Sequence, residues 1–169
     1  MNAAVTTVSA PKTPVAISTV DHTGITVSSL TEALDFWAGV LGFRHLYTWT
    51  FENTAFIENL VGVKGAALTL AMVEGYGHRI ELLEYQAPAD RKIIKPRSCD
   101  VGSVHIALYV DDMDVALARV AKAGCMPVSE PQTVVGGERA GLRLVYVRGP
   151  DGVTLEFLQR PKSVLSAAT

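Results

Sequence analysis

Within HTGITVSSLTEALDFWAGVLG, residues 22–42, the periodicity of side-chain type changes part-way. His22 to Val27 alternates with a period of two, which predicts a half-buried strand, and Leu30, Leu34, Trp37 and Leu41 then recur at helical spacing. Ser29 followed by Glu32 fits a capping box, and Gly42 suits the left-handed residue that ends a helix. Arg44 to Phe51, Ala66 to Val73 and Arg79 to Tyr85 are aliphatic or aromatic runs separated by Gly, Asn or Gly-Tyr-Gly-His, and they predict three further strands.

The same order returns in the second half. VHIALYV predicts a strand, Asp111 or Asp112 can cap a helix running through Val115, Leu117 and Val120, and Gly124 ends it. Met126 to Ser129, Arg143 to Val147 and Val153 to Leu158 supply three more strands, the last two joined by the turn Gly149-Pro150-Asp151-Gly152. Each half is therefore one βαβββ unit, repeat one over about 20–86 and repeat two over about 102–160. The segment APADRKIIKPRSCDVG between them suits a linker. Residues 1–17, rich in Thr, Val, Ala, Ser and Pro, read as a flexible tail; 18–161 form the domain and 162–169 a second tail.

Four residues occupy matched places in the two repeats. His22 opens the first strand of repeat one and Glu81 lies in its last; His105 and Glu156 hold the same places in repeat two. Side chains alternate along a strand, so His22, Gly24 and Thr26 share the face opposite Ile25 and Val27, and His105, Ala107 and Tyr109 the face opposite Ile106 and Leu108. Glu81 is flanked by Ile80 and Leu82, and Glu156 by Leu155 and Phe157, so all four polar groups point away from the helices. If the two units form one curved sheet around a pocket, two imidazoles and two carboxylates converge on one point. Such a set suits one divalent ion, Ni, Co, Zn, Mn or Fe, with positions left open for substrate. The bland reading of each residue alone, a solvated glutamate or a surface histidine, does not account for the coincidence in both repeats.

Composition narrows the function classes. The chain has 169 residues, 49% of them hydrophobic, which suffices for one core without disulfides or a structural metal. Lys plus Arg is 15 against 17 for Asp plus Glu, with no basic run, so nucleic acid is not an expected partner. No apolar stretch reaches the roughly 20 residues of a membrane helix, so no membrane association is expected. Cys99 and Cys125 lack a CxxC or CxH partner and read as reduced thiols, and with no export signal in the first residues the expected location is cytoplasmic.

The pieces DHTGITVSSLTEALDFWAGVLGF, HRIELLEY, GSVHIALYVDDMDVALARVAKAG and GPDGVTLEFL, each carrying one of the four residues, make the chain resemble the vicinal oxygen chelate superfamily from about Val20 to Pro161. That superfamily includes lactoylglutathione lyases, methylmalonyl-CoA epimerases, extradiol dioxygenases and antibiotic-resistance proteins. The resemblance implies an α+β fold of curved mixed sheets around a metal pocket, with His22, Glu81, His105 and Glu156 as ligands. It also implies a small oxygenated substrate whose proton moves next to a carbonyl through a metal-stabilised enolate, in a lyase or isomerase reaction. Bacterial lactoylglutathione lyases hold glutathione with an arginine and an asparagine at positions that here are Thr26 and Tyr85. Methylmalonyl-CoA epimerases carry a further glutamate near the position of Thr69.

Glu156 is the expected base, with Glu81 second, because a carboxylate in a pocket lined by Leu83, Leu158 and aromatic groups gains proton affinity. Trp49, Phe51 and Tyr109 are candidates to line the substrate pocket. Arg139 and Arg143, both in the glycine-rich VVGGERAGLR, are candidates to meet an anionic group. The alternatives are an Fe(II)-dependent ring-cleaving dioxygenase, against which Glu81 counts by filling the fourth position, and a non-catalytic small-molecule or antibiotic binder. The site closes either within one chain or across a homodimer, and an open sheet edge on each unit favours the homodimer.

Overall fold

The computed structural model describes residues 15–161; the outer part of the expected first tail and the whole of the second, 162–169, lie outside the described residues. Repeat one runs β1 (Thr23–Val27), α1 (Leu30–Leu34) with a π-helical continuation (Asp35–Val40), β2 (Arg44–Phe51), α2 (Ala55–Val61), β3 (Ala67–Gly75) and β4 (His78–Ala87). Repeat two runs β5 (His105–Tyr109), α3 (Met113–Ala121), β6 (Met126–Pro127), β7 (Gln132–Thr133), β8 (Arg143–Arg148) and β9 (Thr154–Gln159). The strands form two mixed sheets, β1-β4-β3-β2 and β5-β9-β8-β6 with β7 against β8. In each sheet the histidine strand pairs in parallel with the glutamate strand, β1 with β4 and β5 with β9, and every other pairing is antiparallel. This is the expected α+β architecture of two βαβββ units.

Local chemistry explains most of the boundaries. Ser29 accepts a hydrogen bond from the Glu32 backbone N–H and Asp112 from those of Asp114 and Val115, so both long helices are capped as expected. Gly42 and Gly124 take positive φ just past their ends. The helix after Ser29 is not uniform, since from Asp35 it widens to π geometry. That wider turn lets the adjacent Phe36 and Trp37 both enter the core, where Trp37 meets Phe36 and Phe43 edge to face. Tyr76 and Gly77 both adopt positive φ, as a tight two-residue hairpin between β3 and β4 requires.

Three details differ from expectation. A short helix, α2, stands between β2 and β3, capped by Thr54 and ended by Gly62 in the left-handed region. The strand expected over Met126–Ser129 stops at Pro127, which has no N–H to give a ladder. Strand β7 was not expected because Gln132 and Thr133 are polar and exposed, without a hydrophobic alternation.

Both repeats share one core. Val27, Phe36, Trp37, Val73, Ile80 and Leu82 of the first unit and Met113, Val120, Val145, Val147, Leu155 and Phe157 of the second belong to one buried cluster. The helix-covered faces of the two sheets therefore supply a common interior, and the opposite faces point away from it. The turn between β8 and β9 fastens the halves: Asp151 accepts hydrogen bonds from the Ser28 backbone N–H at 2.8 Å and its hydroxyl at 2.6 Å. Replacing Asp151 by Ala is expected to lower unfolding stability by about 1–2 kcal/mol, read as a shift of the urea midpoint at constant slope.

Candidate metal centre

The two repeats place their histidine and glutamate in the same way. Glu81 on β4 is opposite Gly24 on β1, two residues after His22; Glu156 on β9 is opposite Ala107 on β5, two residues after His105. Ile80, Leu82, Leu155 and Phe157, each at most 1% exposed, lock the neighbouring positions into the core, so each glutamate projects from the face away from it. The His22 Nε2 lies 3.3 Å from a Glu81 carboxylate oxygen, and the His105 Nε2 lies 3.2 Å from one of Glu156. All four side chains retain access to solvent, between 16% and 43% of their surface.

Each glutamate is followed three residues later by a residue that secures the helix of its unit. The Glu84 carboxylate accepts from the Leu30 N–H at 2.7 Å, and the Gln159 side-chain oxygen from the Met113 N–H at 3.0 Å. These bonds satisfy donors that a helix start leaves open and fix the last strand against the helix. The repeated ELLE and EFLQ were readable in the sequence as a matched pair, although only their first residues were singled out.

The surroundings of the two histidines differ. His22 Nδ1 donates to the Asp21 carboxylate at 2.7 Å. That hydrogen bond is the main reason the Asp21 carboxyl is held below the usual carboxylate range; desolvation opposes it, and the charges of His22 and Arg79 add lesser lowering contributions. The His105 ring packs against Tyr146 at 5.1 Å between centroids, and Tyr146 stands directly across from Glu156 on β8.

The donor chemistry fits a divalent ion. Two donors held about 2.0–2.2 Å from one ion at cis or tetrahedral angles are about 2.8–3.6 Å apart, and both His–Glu separations fall in that interval. Neutral imidazole and carboxylate suit first-row divalent metals. One chain does not bring the two pairs together. They lie on faces turned away from the common core, and among the described residues no group of three or more His, Cys, Asp or Glu is placed to hold a metal.

The other sequence-derived residues divide between the two faces. Gly24, Glu81, Met72 and Tyr47 form one row across the first sheet, Thr26, Leu83, Leu70 and Trp49 the next, and Tyr85, Leu68 and Phe51 a third. Tyr47 and Trp49 stack at 4.7 Å, and Phe51 meets Trp49 edge-on, so Trp49 and Phe51 belong to an aromatic wall on the glutamate face. Helix α2 closes one end of that face by packing Ile57 and Val61 over Leu68, Leu70, Leu83 and Tyr85. Burial, and next the charge of Glu81, raise the Tyr85 phenol above its usual range. Tyr109 shares the face of His105, with the Arg160 guanidinium 4.4 Å above its ring.

Arg139 is exposed in the segment between β7 and β8. Arg143 stands on the helix-bearing side instead, bonded to Asp114 at 3.1 Å and to the Gln159 side-chain oxygen at 3.3 Å. Its guanidinium is committed to the start of α3, and it does not share the face of Glu156. His78 hydrogen-bonds Thr23, and His45 bonds Thr48, so both have structural roles.

A family model described as the Glyoxalase/Bleomycin resistance protein/Dioxygenase superfamily matches residues 19–157. The chain belongs to this superfamily. Among curated proteins it is 33% identical over 146 residues to a 2-epi-5-epi-valiolone epimerase from an Actinomyces species, covering 84% of this chain and 79% of that one. A lactoylglutathione lyase of Neisseria meningitidis is 31% identical over 143 residues, covering 82% and 88%. Among solved structures, a glyoxalase family protein from Bacillus cereus superposes with a TM-score of 0.73 at 24% identity, over 86% of this chain and 96% of that one, a likeness of fold. Within this glyoxalase-type fold, no helix among the described residues is long and apolar enough to cross a membrane.

Proposed function

We propose that this glyoxalase-superfamily protein is a divalent-metal-dependent enzyme that moves a proton on the carbon next to a carbonyl in a small oxygenated substrate. Each site in this reading combines His22 and Glu81 of one copy with His105 and Glu156 of a second copy in a homodimer. The observation that carries it is the pair of matched His–Glu contacts, 3.3 and 3.2 Å, on faces turned away from the common core. Among the described residues, strands β1 and β5 are the outermost strands of their sheets, so each offers one backbone edge that no described strand pairs. Setting β1 of one copy beside β5 of the other extends the sheet and turns both faces into one cup. Exposed Val20, Val101 and Val104, which precede these strands, provide apolar surface for a second copy to cover.

When bound, Ni, Co, Zn, Mn or Fe supplies a Lewis acid that polarises the substrate carbonyl. The chain's own groups do the rest. Glu156 takes the proton from the carbon beside the carbonyl as the C–H electron pair moves toward the carbonyl oxygen. Glu156, now carrying that proton, returns it to carbon as the electron pair comes back from the oxygen, so one residue serves as base and then acid; Glu81 of the other copy is the second candidate for this role. His22 and His105 would hold the ion together with the two glutamates. The aromatic wall of Tyr47, Trp49 and Phe51, with Tyr109 on the opposite unit, shields this chemistry from bulk water and presents ring faces to the substrate. The unpaired Cys99 and Cys125 agree with a cytoplasmic location.

The epimerase relative makes 2-epi-5-epi-valiolone the first compound to try. Protein purified without chelator is expected to carry about one first-row divalent ion for each His2Glu2 set. In D2O it is expected to exchange deuterium into the carbon next to the carbonyl, followed by NMR, and to stop when the ion is stripped. Retention of no divalent ion under any refolding condition would remove the metal reading in favour of a binding protein. Oxygen uptake on catechols would point to ring cleavage instead.

A further inference from the structure

We propose that Asp21 is a positioning residue for the metal centre, holding the His22 ring with its proton on Nδ1 and the Nε2 lone pair turned toward Glu81. This rests on the metal reading above. The Asp21 carboxylate is 2.7 Å from Nδ1. An ionised carboxylate only accepts, so Nδ1 must donate, and in a neutral ring Nε2 then carries a lone pair. That lone pair faces a carboxylate oxygen 3.3 Å away. Two electron-rich atoms at this distance repel unless a cation or proton lies between them, so Asp21 presets the first unit as a half-site for a cation.

Asp21 is itself braced. Its other oxygen lies 3.7 Å from Arg79, Arg79 bonds Glu74 at 3.0 Å, and Glu74 bonds Arg44 at 2.8 Å. Alternating charges thus run from β2 across β3 and β4 to the histidine. The second unit lacks this device. The residue before His105 is Val104, and the ring is steadied by Tyr146 instead. The two imidazoles are therefore unequal donors, His22 the more strongly oriented and electron-rich of the two.

The test compares wild type with Asp21→Ala, Asp21→Asn and, as the matched position of the other unit, Val104→Ala. Long-range proton–nitrogen NMR of the metal-free protein reads the tautomer of each histidine, and calorimetric titration with Zn or Mn reads affinity. In Asp21→Ala the His22 proton is expected to move to Nε2, with affinity falling about 10–100-fold, while the His105 resonances stay in place. Asp21→Asn keeps an acceptor and is expected to preserve the tautomer with a smaller loss; Val104→Ala is expected to change neither. A wild-type protein that binds ion, beside an Asp21→Ala protein that binds it equally with an unchanged tautomer, overturns the role of Asp21 alone. A wild-type protein that takes up no ion overturns the metal reading and this proposal with it.

Discussion

Two inactive variants are expected to regain activity when their chains are allowed to combine. A first variant carries His22→Ala and Glu81→Ala, and a second carries His105→Ala and Glu156→Ala. Neither alone holds a complete donor set, so each is expected to be inactive. In a mixed dimer, one site receives both damaged halves and the other receives intact His22 and Glu81 from the second variant with intact His105 and Glu156 from the first. Random reassortment makes about half of the dimers mixed, each with one sound site of two, so co-expression or joint refolding is expected to restore about a quarter of wild-type activity. The fold underlies this expectation: the pairs lie on faces turned away from one shared interior, and a single chain leaves them apart. Activity confined to monomers in a size-exclusion profile, or no recovery in verified mixed dimers, would count against a site shared between copies.

Glu156→Gln is the substitution that most directly separates proton transfer from ion binding. Glutamine has the same shape and keeps a side-chain oxygen as a donor, but it cannot accept the substrate's proton. Turnover is expected to fall by about 100-fold or more, with part of the bound metal retained on elemental analysis. The surroundings of the two glutamates favour Glu156 for this role. Tyr146 stands across from it and the His105 ring packs on Tyr146, whereas Met72 is the residue across from Glu81. Full activity in Glu156→Gln would reject the assignment, and a larger loss in Glu81→Gln would transfer the base to Glu81.

The sequence carried the two-unit architecture because a period of two and a period of 3.6 are local properties, and the caps at Ser29 and Asp112 are local chemistry. The face of each glutamate was equally legible, since Ile80, Leu82, Leu155 and Phe157 are apolar neighbours that must go inward. How the units sit together was not legible. Alternation states that a strand has an inner and an outer face, but not that α1 and α3 would each turn one side toward a single shared interior, which is a tertiary outcome.

Helix α2 escaped notice because it is one short element, although Thr54 and Gly62 mark its ends. Asp21 had no periodicity to reveal it, only its place beside His22. Arg143 closes the glycine-rich segment VVGGERAGLR, yet its register opposite Gln159 assigns it to the helix-bearing side, which the composition of that segment does not reveal. Glu84 and Gln159 were hidden in plain spacing, three residues beyond the glutamates already singled out.

The unsaturated margins of β1 and β5 bear on how large an assembly this chain can build. Unlike surfaces that join in a head-to-tail manner run on into filaments unless the geometry closes. A two-fold axis that lays β1 of each copy along β5 of the other consumes both margins in a single step, leaving neither available to a third molecule. In the proposed homodimer the histidine strands also form the seam that terminates growth, and a substitution that blocks this seam without removing the margins is expected to leave the chain open to polymerisation.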